Sequence, residues 1–409
     1  MLAVQEARER ILAVFQRLPA EIVPLAVAYS RVLAEDVVSR EAVPPFANSS
    51  MDGYAVRAAD AAVAQTRLPV SGDIPAGTAP GPLRPGTAMR IMTGAPIPAG
   101  ADAVVPVEET DDTRAPGHGQ PPPATILLRT APRVGDNVRA AGLDVAVGDV
   151  VLSAGAWLGP AALGVLAAVG AAQVSVVRRP RIALLSTGDE LVTVGEAPGP
   201  GRIRDINSYT LAAALREVGA DVIALGIARD ERGDVETRLA QARDLGVDLV
   251  ISSAGVSVGT YDVVKAVVEA NGALNFWRVN MRPGKPLAFG HVFGIPFFGL
   301  PGNPVSALVG LEVFVKPVIA TLLGQRWAPR SVKAQLVEPY TSDGRETYLR
   351  VRLTGGPTGF LAHLTGAQTS NLITSMVRAN ALLVVPSGVT RAEAGTAFDA
   401  WLLTAELPS

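Results

Sequence analysis

Four short apolar runs, "RIALLS", "DVIALGI", "VDLVIS" and "IPFFGL", alternate with helix-like runs at 207–218, 234–245, 261–271 and 304–323. No other feature of the chain narrows its fold as much. Short runs rich in Val, Ile and Leu read as strands, and the longer stretches between them read as helices. A strand that reaches the next strand through a helix pairs with it in parallel, because the crossover carries the chain back to its starting edge. The alternation therefore predicts a mostly parallel sheet with helices on both faces, over 179–325. The carboxyl ends of such strands share one edge, and ligands of open α/β sheets bind beyond it.

Charged groups stand at those strand ends. "TGDEL" follows the first, with Asp189 and Glu190, and Asp230 follows the second. After "VDLVIS" comes a loop of small residues, Ser253 to Gly259, and then Asp262 in the first turn of a helix. "RPGKP", with Arg282 and Lys285, follows "FWRVNM"; "PGNPVS" follows "IPFFGL" and places Asn303 to cap a helix whose first turn holds Pro304. Three of the acids have a plain structural explanation, whereas Glu190, which borders an apolar run, does not. A first-turn carboxylate such as Asp262 is favoured by the helix dipole by ~0.3–1 kcal/mol, and Asp189 and Asp230 suit solvated turns. Lys285 stands between two prolines, in a chain with only three other lysines, Lys265, Lys316 and Lys333. Together the groups place acids and bases on one edge, which suits an anionic substrate with a cation.

Composition limits the chemistry. There is no cysteine, so disulfides, thiolate metal sites and a cysteine nucleophile are excluded. Three scattered histidines, His118, His291 and His363, leave oxygen ligands for any metal, which favours magnesium. A formal net charge of −2 argues against nucleic-acid binding. No dinucleotide-binding glycine pattern, P-loop or nucleophile elbow occurs.

The 409 residues call for several domains. Val4, Ala7, Ile11, Val14, Phe15 and Leu18 follow helical spacing, and "SRVLAEDVVS" reads as a second short helix. The expected division is a helical part at 1–43 and 141–178, a β-rich part at 44–140, the α/β part at 179–325 and a C-terminal β-barrel at 326–409. Within 44–140 the strand-like runs are "LPVSGDI", "GTAMRIMTG", "DAVVPVEE" and "TILLR", and "DDTRAPGHGQPPPA" reads as an exposed loop. The last part carries the period-two runs "VKAQLVE", "TYLRVRL", "ALLVVP" and "FDAWLL". Gly159–Val177 is apolar enough to imitate a membrane span, yet Pro160 starts a helix, Gly170 stops it, and Gln173–Val177 alternates like a strand. A soluble, cytoplasmic protein without a membrane contact is expected.

The motifs "PPFANSSMDGYAVR", "IMTGAPIPAGADAVV", "STGDEL", "SSAGVSVGTYD", "RPGKPLAFG" and "LPGNPVSA" occur in that order. Together they resemble the molybdopterin molybdenumtransferase family, the MoeA-type proteins, which includes the E domain of gephyrin. The resemblance runs over most of residues 1–325 and continues more weakly through "GAQTSNLITSMVRAN". It implies an elongated four-subdomain protomer that forms a homodimer with its site between protomers. It also implies a reaction: adenylylated molybdopterin (molybdopterin-AMP) and molybdate are the substrates, AMP is released, molybdenum enters the dithiolene, and a divalent cation assists. The molybdopterin adenylyltransferase and acceptor molybdoenzymes are the implied protein partners.

Carried over residue by residue, the resemblance implicates Asp52, Thr93, Asp144, Glu190, Asp230 and Asp262 in catalysis. Glu190, Asp230 and Asp262 would hold the cation. Substrate contacts fall to Ser253, Gly255, Ser257 and Gly259 of the small-residue loop, to the cations Arg278, Arg282 and Lys285, and to Pro301, Asn303, Pro304 and Ser375. The chain departs from the family's usual pattern in "GLD", in Ala254, and in arginine at 278 and 282. A molybdopterin adenylyltransferase and a non-catalytic dimeric scaffold are the alternative readings.

Overall fold

The structure is a computed structural model and describes residues 1–113, 121–253, 263–356 and 359–404. The chain divides into two compact units: Ile22–Tyr29 with Leu33–Ser175, and Met1–Glu21 with Ser30–Val32 and Val176–Ser409. The larger unit begins with helix α1 (Val4–Leu12), which buries Val4, Ala7 and Ile11 at helical spacing.

The smaller unit holds a five-stranded sheet of β1 (Gly53–Val56), β2 (Thr66–Ile74), β3 (Ala88–Ile91), β4 (Ala103–Pro106) and β5 (Thr125–Leu128), in the order β4-β1-β3-β2-β5. All four strand-like runs read from the sequence form strands of this sheet. Helix α2 (Pro160–Ala168) starts at Pro160 and stops at Gly170, whose φ of 72° suits glycine, and a strand follows at Gln173–Val177. At nine residues α2 is too short to span a membrane. The expected helix over "SRVLAEDVVS" is absent. Leu33 N–H donates to Ala156 O (2.9 Å), Ala34 N–H to Ser175 O (2.9 Å) and Ser39 N–H to Asp149 O (2.8 Å), while Val37–Val38 pairs with Val150–Leu152. Distant acceptors thus take the donors that a helix would use, and the local pattern loses to tertiary pairing. The helical N-terminal part therefore reduces to α1 and α2 plus a single 3-10 turn at Leu25–Val27.

In the larger unit the α/β sheet is built from β6 (Arg181–Thr187), β7 (Asp221–Ala228), β8 (Leu249–Ser253), β9 (Gly272–Arg278), β11 (Pro286–Val292) and β12 (Ile295–Leu300); the two-residue β10 (Met281–Arg282) pairs elsewhere. The strand order is β7-β6-β8-β12-β11-β9. Its first four strands are parallel, but β11 runs antiparallel to both β12 and β9. The hairpin β11–β12 turns on Phe293 and Gly294, with φ of 50° and 79°, the left-handed pair that a two-residue hairpin requires. Two reversals restore direction, so β9 ends on the same edge as the parallel strands.

Helices α3 (Asn207–Glu217), α4 (Arg232–Asp244) and α5 (Val263–Ala270) follow β6, β7 and β8. Leu239 of α4 and Val267 of α5 pack with Leu185, Val250 and Phe297 on one face of the sheet. After β12, helix α6 (Pro304–Gly310) runs through a π-helical turn (Leu311–Val315) into α7 (Lys316–Leu322). This stretch is the helix among the described residues that is long and apolar enough to cross a membrane, and 72% of its apolar window is buried in the protein.

The C-terminal region is a closed barrel. Strands β13 (Ser331–Leu336), β14 (Glu346–Gly356), β15 (Gly359–Leu364), β16 (Ala381–Val385) and β17 (Ala397–Leu402) pair in the order β14-β15-β13-β17-β16, and β14 also pairs with β16. All four period-two runs supply barrel strands. Strand β10 joins the barrel beside β14, with Arg282 opposite Thr347.

Candidate functional site

The direction of the parallel strands reverses its order between β6 and β8: the chain steps from β6 to β7 on one side and then to β8 on the other. Such a switch point leaves a crevice at the carboxyl ends. A cavity of about 610 Å³ lies there, lined by Thr187 and Glu190 after β6, Ser253 at the end of β8, Ile203 to Asn207 leading into α3, Gly302 to Pro304 leading into α6, and Asn371. Ser186 and Ser253 hydroxyls meet at 3.2 Å across the two strands.

The loop after β6 is shaped by Gly188, whose φ is 142°; a Cβ there would collide with the Glu190 carboxyl group. Glycine thus lets the Glu190 side chain fold back over the turn. Asp189 Oδ1 accepts the Asp230 N–H at 3.2 Å, which ties the loop after β7 to the loop after β6. Asp189, read as a turn residue, is therefore a link between the two loops that carry Glu190 and Asp230, and both of those carboxylates are exposed. In the next turn, Asp234 accepts the Arg229 N–H (2.9 Å), which holds its carboxyl below the usual range. Asp262, Gly255, Ser257 and Gly259 lie outside the described residues, as does His118.

The bases stand at the other end of the same edge. Arg278 and Lys285 are exposed. Arg282 Nη1 approaches Asp343 Oδ2 at 3.5 Å. Asp343 belongs more closely to Arg345, whose guanidinium holds the Asp343 carboxyl down at about 2 and itself donates to Met281 O at 3.0 Å. From β6 to β9 is four strand spacings, on the order of 19 Å. The acids and bases thus share an edge, as the sequence suggests, but do not converge on one point.

Asn303 occupies the N-cap position of α6 with Pro304 next, but its side chain makes no capping hydrogen bond; it lines the cavity instead. Pro301 is buried beside it. Ser375 is 3% exposed, accepts from Arg350 Nε (3.2 Å) and donates to Leu372 O (2.7 Å). Arg350 is 1% exposed, and burial lowers its pKa to about 10. Its Nη2 donates to Thr369 O (3.0 Å) and Ala367 O (3.3 Å), so it anchors the segment that carries Asn371 to the cavity.

In the smaller unit, Asp52 Oδ1 accepts both the N–H (2.6 Å) and the hydroxyl (2.9 Å) of Thr93. The two motifs "MDGYA" and "MTGAP" are brought together by the pairing of β1 with β3, Gly53 opposite Ile91. Asp144 is exposed; its N–H donates to Val43 O (2.9 Å), and its carboxylate has no hydrogen bond among the described residues.

Sequence reasoning missed Asp205 and Asn207, both cavity-lining and nine-tenths buried. The signal was present: Asp205 precedes a helix start, where a carboxylate commonly accepts a first-turn N–H, and its Oδ1 does accept the Ser208 N–H at 3.1 Å.

Comparison with known proteins gives a consistent result along the whole chain. Residues 2–170 match the MoeA N-terminal region (domain I and II), residues 183–321 a probable molybdopterin binding domain, and residues 333–403 the MoeA C-terminal region (domain IV). Molybdopterin molybdenumtransferase 2 of Mycobacterium tuberculosis is 40% identical over 418 aligned residues, covering 99% of this chain and 100% of that protein. The molybdopterin molybdenumtransferase of Haemophilus influenzae is 43% identical over 331 residues, covering 80% of this chain and 79% of its own length. Two crystal structures of the molybdopterin biosynthesis MoeA protein of Pyrococcus horikoshii superpose with TM-scores of 0.83 and 0.81, at 32% and 28% identity, over 99% and 98% of this chain and all of theirs. The chain belongs to the MoeA-type molybdopterin molybdenumtransferase family.

Proposed function

We infer that the chain acts in molybdenum cofactor biosynthesis as a molybdopterin molybdenumtransferase. It takes adenylylated molybdopterin and molybdate, splits the phosphoanhydride with release of AMP, and leaves molybdenum on the dithiolene sulfurs. The observation that carries this reading is the row of groups along one sheet edge: exposed carboxylates and a 610 Å³ cavity at the β6–β8 end, exposed cations at the β9 end.

Magnesium commonly takes one or two carboxylates, with water and substrate phosphate completing its shell. Glu190 and Asp230, exposed and linked through Asp189, fit that demand; no group of three or more His, Asp or Glu gathers among the described residues. Asp262 is the third carboxylate of this proposal. When bound, the ion neutralises charge on the phosphate oxygens of the anhydride. Glu190 and Asp230 orient the ion's shell, and Ser253 at the mouth of the small-residue loop, with Gly255, Ser257 and Gly259, offers donors to phosphate. Arg278, Arg282 and Lys285 draw in the oxyanions, a role for which a planar guanidinium is suited. Asp52, with Thr93 fixed to it, and Asp144 are further catalytic groups of this reading, carried by the smaller unit.

A homodimer with the site between protomers belongs to the same reading. It is supported by an exposed apolar set in the smaller unit, Ile22, Val27, Tyr29, Val38, Val150 and Trp157, and by α2, in which only Leu166 is buried.

The test is AMP release from adenylylated molybdopterin by the purified chain with magnesium, with and without molybdate. Release that depends on molybdate and yields a cofactor that activates an apo-molybdoenzyme is expected. A folded dimer that releases no AMP overturns the reading.

A further inference from the structure

Of the three cations on the sheet edge, Arg282 stands apart. Arg278 and Lys285 form no ion pair among the described residues, whereas Arg282 already faces a carboxylate, Asp343. The backbone around Arg282 is fixed from several sides. Leu2 N–H donates to Arg278 O (3.0 Å), Asn280 N–H to Leu2 O (2.8 Å) and Glu346 N–H to Asn280 O (3.1 Å). Asn280 Nδ2 donates to Ser387 Oγ at 2.9 Å. Strand β10 then seats Met281 and Arg282 against Glu346 and Thr347 of the barrel strand β14. With the backbone held, only the Arg282 side chain is left to change rotamer.

Arg282 Nη1 lies 3.5 Å from Asp343 Oδ2, a long contact. Asp343 has a better partner. Arg345 gives the same carboxylate its Nε (3.0 Å to either oxygen), its Nη2 and its backbone N–H (3.3 Å), and directs Nη1 to Met281 O (3.0 Å). Arg345 is 22% exposed and Arg282 is 40% exposed. Arg345 is thus committed to the fold, whereas Arg282 sits on the outer side of an anion that another guanidinium neutralises. An exposed pair of this kind is weak and readily exchanged. The Asp343 carboxyl, held at about 2 by Arg345, stays charged at neutral pH, so exchange needs no protonation.

An oxyanion that engages Arg282 meets two costs. The guanidinium must give up Asp343, and this cost is the same for every anion. The carboxylate left nearby then repels the newcomer, and this cost grows with the newcomer's charge. We propose that Asp343 is a positioning residue for the oxyanion: it parks the Arg282 guanidinium against the barrel, yields it to an incoming anion, and sets how weakly that anion is held. The proposal rests on the reading of Arg282 as an oxyanion contact. A weak hold suits a substrate that must move on to the dithiolene sulfurs, since tight binding of the ground state raises the barrier to reaction.

The experiment is calorimetry of the full chain with molybdate and with perrhenate, a tetrahedral oxyanion of similar size that carries one charge instead of two. Asp343→Asn should tighten molybdate by about three- to tenfold and perrhenate by less, about two- to threefold. Asp343→Ser, a second uncharged variant, should act in the same direction, and Asp343→Glu, which keeps the charge, should stay within about twofold of the unaltered chain. In an Arg282→Gln chain the molybdate gain from Asp343→Asn should fall below about twofold, because no guanidinium is left to release. A purely structural Asp343 gives the opposite sign, since a loosened loop weakens binding. Weakened or unchanged molybdate binding in both uncharged variants, a perrhenate gain equal to that of molybdate, or an equal gain with and without Arg282 overturns the proposal. Molybdate that binds the Arg282→Gln chain as tightly as the unaltered chain sinks the part of Arg282 in the functional reading, and an unaltered chain that releases no AMP sinks that reading as a whole. Molybdate binding that needs Arg282 but ignores Asp343 sinks only this inference.

Discussion

Gly53→Ala is the most informative single perturbation in the smaller unit. Gly53 precedes Tyr54 in β1 and stands opposite Pro106 of β4. A Cβ built on it would lie 2.9 Å from the Val105 carbonyl carbon and 3.0 Å from Pro106 Cα, and closer still to the Val105 oxygen. All of these atoms are backbone, so no rotamer can relieve the clash. The strand carrying Val105 must retreat by on the order of 1 Å, which few packed strands tolerate. Overpacking of this kind costs ~1–3 kcal/mol, and loosening two neighbouring ladder hydrogen bonds adds ~1 kcal/mol each. About 3–5 kcal/mol is then lost locally, a large share of the ~5–15 kcal/mol that holds a domain. Asp52 adjoins Gly53, and its carbonyl accepts the Val107 N–H at 3.0 Å, so the displacement also draws Asp52 away from Thr93. Amide hydrogen exchange of 53–56 and 103–105 should accelerate by roughly 100-fold or more, and AMP release should fall with it. Asp52→Asn should lower AMP release without changing exchange. Protection in Gly53→Ala within about threefold of the unaltered chain would refute the steric argument.

Three further outcomes are expected. Glu190→Gln should reduce AMP release by at least about tenfold with the unfolding midpoint unchanged, because the side chain is exposed and its work is electrostatic; an unchanged rate removes Glu190 from the site. Asp343 has its pKa depressed to about 2 by Arg345, so its contribution to stability is complete above about pH 4 and is lost as pH falls through 2; Asp343→Asn should flatten the decline of stability in that window only slightly, since both partners of the Arg282–Asp343 contact are 40% exposed, and a large change near neutral pH would contradict the assignment. Glu312 pairs with Lys316 at 2.6 Å along the π-helical turn, and burial raises the Glu312 pKa; Lys316→Met alone should destabilise by ~3 kcal/mol, and adding Glu312→Leu should recover much of that, as read by denaturant unfolding of both variants.

The parts of the fold that sequence discloses are those set by local pattern. The alternation of apolar runs in 179–325 and the period-two runs after Arg330 each became the expected strands and helices. Pairing direction was less legible: β11 and its left-handed Phe293–Gly294 turn lack the Asn-Gly signature that marks a hairpin. "SRVLAEDVVS" reads as a helix because its apolar spacing is helical, yet its donors go to Ala156, Ser175 and Asp149, partners that no local window contains. The site divides in the same way. Glu190 and Asp230 follow strands and were visible, whereas Asn207 and Asn371 line the cavity only because α3 and the Arg350-anchored segment are folded against it. Asp189 looked like a turn because its function is to bond a backbone N–H 41 residues away.

The separation of acids from bases along the sheet edge has a kinetic consequence. On the proposed function, an intact conjugate long enough to span about 19 Å would be gripped at two places by one molecule, and the second grip would act at high effective concentration. Cleavage of the anhydride severs the tether. Each fragment then keeps only its own half of the contacts and leaves at its own rate. On the molybdenumtransferase reading, bond breaking is therefore also the release signal: the nucleotide half can depart early while the metal-bearing half stays for hand-over, with no lid or domain motion needed to order the two.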